Sequence, residues 1–134
     1  MKKQTLVLAS LLVAIHTPLF AGEQLESTIE LYQQQGNLSF SAEAGKALWN
    51  QEITHKQAPV TRSCASCHGS DVSQSGKHIK TTKVIKPMSP TINPARFTDQ
   101  AKIEKWFVRN CKWTWGRECS VQEKGDILRY LSQQ

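Results

Sequence analysis

Beyond its opening residues the sequence has no apolar run long enough to cross a membrane, which takes about 20 apolar residues in succession. It also has no concentrated basic segment: 17 Lys+Arg stand against 11 Asp+Glu, well short of the clustered charge of a nucleic-acid binder. Cysteine is scarce, with Cys64 and Cys67 close together and Cys111 and Cys119 far downstream. No second C-x-x-C or H-x-H cluster accompanies the first pair, so a zinc site would lack half its ligands. A β-α-β context is missing too, which argues against a thioredoxin-type motif. No β-hairpin signal or internal repeat stands out. What survives these exclusions is one small helical domain whose chemistry rests on a few residues.

The chain begins MKKQTLVLASLLVAIHTPLFAGEQ. Lys2 and Lys3 precede the apolar stretch Leu6 to Ile15, Pro18 interrupts it, and the small residues Ala21 and Gly22 follow. These are the three regions of a secretory signal, and cleavage is expected after Ala21. Leu19 matches the third position before the cut less well than alanine would. An uncleaved anchor is the alternative. Residues 22–134 then form one compact domain with a modest core, exported to the periplasm. Loss of the two leader lysines leaves 15 basic against 11 acidic residues, a net charge of +4.

The first cysteine pair sits in SCASCHG. In C-x-x-C-H two thiols one helical turn apart add to the haem vinyl groups, and His68 lies under the iron as the proximal ligand. Ala65 and Ser66 are small enough to let the porphyrin edge approach. One motif means one haem c. A local disulfide is the plainer alternative for Cys64 and Cys67. For Cys111 and Cys119, in an oxidising compartment, the default reading is a structural disulfide worth ~2–3 kcal/mol by loop entropy.

A short helix is expected from Gln24 to Gln35, with Leu25, Ile29 and Tyr32 inward and Gly36 ending it. Ser41 caps a second helix with Phe40, Ala44, Ala47 and Leu48 on one face. A connector containing Pro59 leads to the motif. From Gly76 to Phe97 the text reads as a loop, since Pro87, Pro90 and Pro94 each exclude a helix interior. Thr98 as N-cap, with Asp99 in the first turn, starts a helix carrying Ile103, Trp106, Phe107 and Asn110. Ser120 with Glu123 forms a capping box for a last helix whose inner face is Ile127, Leu128 and Leu131. Gly125 within it, costly by about 1 kcal/mol relative to alanine, marks a close crossing. The predicted fold is all-α, four or five short helices around a covalently attached haem.

Asn110 falls on the apolar stripe of its helix, seven residues after Ile103. An amide buried there without a partner costs roughly 1–3 kcal/mol, so it needs a hydrogen bond, a water or a metal. As a distal iron ligand its oxygen would be hard and weak, suited to ferric iron and loosened by reduction. An ordinary buried hydrogen bond or a helix C-cap would also account for it. Met88, twenty residues after His68 in the proline-rich loop, is the competing ligand and on spacing alone leads. Core packing is its plainer role. His55 and His78 are weaker candidates, read as solvent-facing.

The segments SCASCHGSD, GKHIKTTKVIKPMSP, NPARFTD, KIEKWFVRNC and GRECSVQEKGDIL together resemble the sphaeroides haem protein (SHP) family of exported, class I-like monohaem cytochromes c. The match covers about two thirds of the mature chain; from Gly22 to about Pro59 it offers no motif. The resemblance implies Asn110 as the distal ligand, a disulfide between Cys111 and Cys119, and Met88 as pocket packing. It also implies that the asparagine leaves on reduction and that O2 or NO then binds. Electrons would come from a dihaem cytochrome c and a membrane b-type cytochrome.

Lys77, Lys80, Lys83 and Lys86 recur every third residue. They read as a solvated face, or as contacts to haem propionates and an acidic redox partner. Trp106 is expected in the core or haem wall, Trp113 and Trp115 around the distal side, and Arg109 in solvent. Three functional classes follow: electron transfer with a switchable distal site, a haem enzyme reducing O2 or converting NO, and a gas sensor. No acid–base constellation flanks Asn110, so catalysis would rest on the haem itself.

Overall fold

In the computed structural model, residues 21–54 and 60–134 are described; the expected leader lies outside them apart from Ala21, as do His55 and Pro59. Five helices dominate: α1 (Ala21–Gln34), α2 (Ala42–Asn50), α3 (Ala65–His68), α4 (Gln100–Trp115) and α5 (Val121–Ser132). Two antiparallel strand pairs fill the connections. β1 (Ile53–Thr54) pairs with β2 (Thr61–Arg62), and β3 (Gly76–Lys77) pairs with β4 (Val84–Ile85) in the register Gly76 to Ile85. The sequence reading missed both pairs, because two-residue strands are too short to show an alternation.

The helix ends follow local chemistry. Ser41 accepts from Ala44 N, and Ser120 and Glu123 form the reciprocal capping box of α5. At α4 the cap is Asp99, accepting from Lys102 N at 3.0 Å, one residue later than Thr98. The left-handed Gly116 closes that helix with its N–H on Lys112 O.

Helix α5 lies at the centre, against α1 on one side and α2 on the other. Leu25, Ile29 and Tyr32 of α1 bury with Ile103 and Leu128. A second cluster joins Trp49, Val72, Cys111, Trp115, Cys119, Ile127, Tyr130 and Leu131. The inner face of α2 is Gly45 and Trp49, while Ala47 is exposed. The reason is steric: a Cβ on Gly45 would stand 1.9 Å from Asp126 O, so the two backbones touch there. Gly125 is tightly covered too, by the Phe40 ring. Buried Asp126 fixes the entry to α2 by accepting from Ser41 N at 2.8 Å.

Helix α4 is held at its middle by Glu104, which accepts from Tyr32 of α1 and pairs with Lys124 of α5 at 2.8 Å. Its inward stripe runs Ile103, Phe107, Asn110, Cys111 and Thr114. Trp106 leaves this stripe, against the expectation: its side is half exposed, and Arg109 lies 5.0 Å over its ring. One turn of helix separates Ile103 from both Trp106 and Phe107, and only Phe107 faces the two apolar clusters.

Candidate haem site

The turn leading into α3 begins at buried Ser63. Ser63 N donates to Ser66 Oγ at 2.9 Å and Ser66 N donates to Ser63 Oγ at 3.1 Å, a capping box built from two serines. The turn closes through His68 N on Cys64 O and Gly69 N on Ala65 O. Cys64 and Cys67 are both half-buried free thiols, so the local disulfide reading finds no support in the geometry. Burial pushes the Cys64 thiol up to about 11, the wrong direction for a thiolate metal ligand or an exchange nucleophile. Among the described residues no group of three or more His, Cys, Asp or Glu could hold a metal ion by itself.

Burial, reinforced by the charges of Arg96 and His78, pushes His68 down to about 4. The imidazole is therefore neutral near pH 7, the form that ligates iron. Its Nδ1 is buried without a partner. Trp49 secures the helix end, donating Nε1–H to Gly69 O at 2.8 Å with its ring centroid 5.4 Å from that of His68. Strand β3 crosses the motif so closely that a Cβ on Gly76 would lie 2.1 Å from Cys67 O and 2.7 Å from His68 Cα.

The two distal candidates are held by different elements, Met88 by the proline-rich loop and Asn110 by α4. Met88 is half-buried, packs on the cluster that also receives Cys64 and Ala65, and donates its N–H to Val72 O at 2.9 Å. Arg96 braces the loop just before it, with Nε on Pro87 O at 3.0 Å and Nη2 on Lys86 O at 2.6 Å. Asn110 is half-buried beside Cys111, and its amide has no hydrogen-bond partner among the described residues. It lies five residues before the end of α4, so it is not the helix C-cap.

The sulfur atoms of Cys111 and Cys119 are bonded, with Cα atoms 5.7 Å apart, joining α4 to the start of α5. Trp115 is buried beside the bridge. Trp113 is half-buried, flanked by the Arg62 guanidinium at 3.8 Å, Lys80 Nζ at 4.6 Å and the stacked ring of His78. His78 is therefore half-buried against an aromatic ring rather than facing solvent, and its Nδ1 accepts from Thr81 N. Lys77, Lys80, Lys83 and Lys86 are all exposed.

Residues 35–131 match a family described as a domain of unknown function, DUF1924. Over 103 residues the chain is 42% identical to the cytochrome c-type protein SHP of Cereibacter sphaeroides, spanning 77% of this chain and 78% of that protein. The chain belongs to the SHP family. The structure of oxidised SHP, an oxygen-binding cytochrome c, superposes with a TM-score of 0.74 at 38% identity, covering 82% of this chain and 96% of that one. Cytochrome c'' of Methylophilus methylotrophus is 37% identical over 87 residues, 65% of this chain and 60% of that protein. Its solution structure, described for its haem-ligand detachment, gives a TM-score of 0.70 at 29% identity, covering 85% of this chain and 93% of that one.

As an SHP-family protein the chain is a c-type cytochrome with one haem c and its iron, on a cytochrome c fold. The residues present fit that group: two unpaired thiols one turn apart, a neutral histidine with an orphaned buried nitrogen, and an apolar wall. Sequence reasoning missed Trp49, Gly76, Arg96 and Arg62 at this site. Each acts across the fold on a backbone atom or ring remote in sequence.

Proposed function

We propose that this protein is an exported electron-transfer cytochrome whose weak distal ligand, Asn110, leaves on reduction and opens the haem to O2 or NO. Residues 1–21 are its leader and 22–134 its cytochrome domain, working in the periplasm. When bound, haem c supplies a one-electron couple and, with the sixth position vacated, a place for a diatomic molecule. Cys64 and Cys67 hold it through thioethers. His68 offers a neutral ring nitrogen to the iron, and Trp49 fixes the end of the turn that carries it. The Asn110 carboxamide contributes a hard oxygen that prefers the ferric state. Electrons arrive from a dihaem cytochrome c fed by a membrane b-type cytochrome.

The single observation carrying this reading is the Asn110 amide: half-buried on the inward stripe of α4, without a hydrogen-bond partner among the described residues, and one residue from a disulfide that holds its backbone. The resemblance to an oxygen-binding cytochrome c adds to it. Met88, packed on the same cluster as Cys64, supports a second reading as an ordinary His/Met electron carrier. Absorption spectra of the ferric and ferrous protein separate them. A high-spin ferrous form taking up carbon monoxide rapidly, with Asn110→Ala altering the ferric spectrum, is expected. A six-coordinate ferrous form abolished by Met88→Leu would replace the proposal with the second reading.

A further inference from the structure

The last carbonyls of a helix lack intrahelical donors and must be satisfied from outside. In α4 the Lys112 carbonyl is taken by Gly116 N, and the Trp113 carbonyl by Arg62 Nη1 at 2.9 Å. Arg62 belongs to β2, two residues before Cys64, whereas Trp113 stands three residues, close to one turn, after Asn110. One guanidinium therefore joins the strand that leads into C-x-x-C-H to the helical turn that bears the distal amide. Its Cζ also lies 3.8 Å from the centre of the Trp113 ring. Arg62 has no carboxylate partner among the described residues, and its Nε is buried without any acceptor, so the bond to Trp113 O is its principal anchor. A cation at this end of the helix is further favoured by the helix dipole.

The disulfide holds the same turn from the other side, tying Cys111 to Cys119 at the start of α5. Asn110 thus lies next to a covalent tie and one turn from a polar one. Only the polar tie reaches back to the segment carrying the thioether cysteines. The geometry points to Arg62 as a positioning residue that holds the Asn110 turn of α4 against the haem and so sets how readily the amide gives up its position. This rests on the reading of Asn110 as distal ligand.

The consequence is a competition. A neutral incoming ligand binds only when Asn110 is off, so its apparent affinity falls with the fraction of open protein. Titrating the ferric holoprotein with imidazole at pH 8, where the probe is uncharged, measures that fraction. Arg62→Gln should lower the apparent Kd for imidazole about tenfold. In the Asn110→Ala background, where nothing remains to be displaced, the same change should have no effect within about twofold, as a double-mutant cycle requires. Lys80→Gln removes a cation over the same ring but no hydrogen bond, and should leave the affinity unchanged.

An equal tightening by Arg62→Gln in both backgrounds would show general opening of the pocket and overturn the assignment. So would an unchanged Kd, or a Lys80→Gln shift as large as that of Arg62→Gln. Should Arg62→Gln fail to accumulate as holoprotein, Arg62→Met carries the test: it keeps the aliphatic stem and loses the N–H donor, so an unaltered Kd overturns the proposal. If Asn110→Ala itself leaves imidazole affinity untouched, the distal-ligand reading fails first, and that result is distinct from all of the others.

Discussion

Replacing Gly76 with alanine should be one of the most damaging single-methyl additions in this protein. The new Cβ would sit 2.1 Å from Cys67 O, 2.7 Å from His68 Cα and 3.0 Å from Cys67 C, all backbone atoms. A flexible side chain could swing aside, but this turn is fixed at both ends. The Ser63–Ser66 box holds its start and the Trp49 bond to Gly69 O its end. Strand β3 must therefore retreat by about 1 Å to restore ordinary contact, in an interior packed at crystal density. Overpacking of this kind costs about 1–3 kcal/mol, and a backbone clash belongs at the upper end, near ~3 kcal/mol. The displaced hairpin would also carry His78 and Lys80 away from Trp113. Guanidinium unfolding of the ferric holoprotein, followed by far-UV circular dichroism and by the haem absorption band, measures both effects. A Gly76→Ala protein within ~0.5 kcal/mol of wild type, with an unshifted band, would refute the claim that β3 is pressed against the motif.

Glu104 gives a pH-dependent prediction. Burial pushes its carboxyl up, but the bonds from Lys124 and Tyr32 outweigh this and hold it below the ordinary value. A depressed folded pKa contributes stability that is present above the unfolded value near 4.5 and is lost as pH falls through the folded one. Glu104→Gln should thus cost ~1.5–2 kcal/mol at pH 7, allowing for partial exposure, and progressively less below pH 4.5; denaturant midpoints across pH 3–7 check it, and a pH-independent difference would count against it. Trp49→Phe removes the bond to Gly69 O and should destabilise by about 1 kcal/mol while altering the haem spectrum through His68; an unchanged spectrum would deny the proximal role. Removing the bridge by Cys111→Ala with Cys119→Ala, a sequence separation of 8, should cost ~2.5 kcal/mol in thermal unfolding and raise ferric imidazole affinity.

The helical elements were legible because their signals are local. The stripe Leu25, Ile29, Tyr32 buried, and the Ser120–Glu123 box formed at the start of α5. Asn110 was singled out because a polar residue on an apolar stripe is visible in one dimension. The expectation of Trp106 in the core failed for the same reason. Periodicity leaves the exact edge of a helical face open, and at a boundary position the packing of Phe107 against two clusters decides which residue turns inward. Thr98 and Asp99 are both competent caps in adjacent positions, so the choice fell to the tertiary path of the chain.

Sequence alone determined the attachment motif, its single occurrence, the helical class and the two residues competing for the distal position, because each depends on side-chain chemistry at short spacing. Tertiary structure alone decided that Gly76 lies on the Cys67 carbonyl, that Trp49 braces the end of the His68 turn and that Arg62 reaches the Trp113 carbonyl. Those contacts join segments 9 to 51 residues apart through backbone atoms. Every residue has the same backbone atoms, so no sequence pattern can mark which of them will be met.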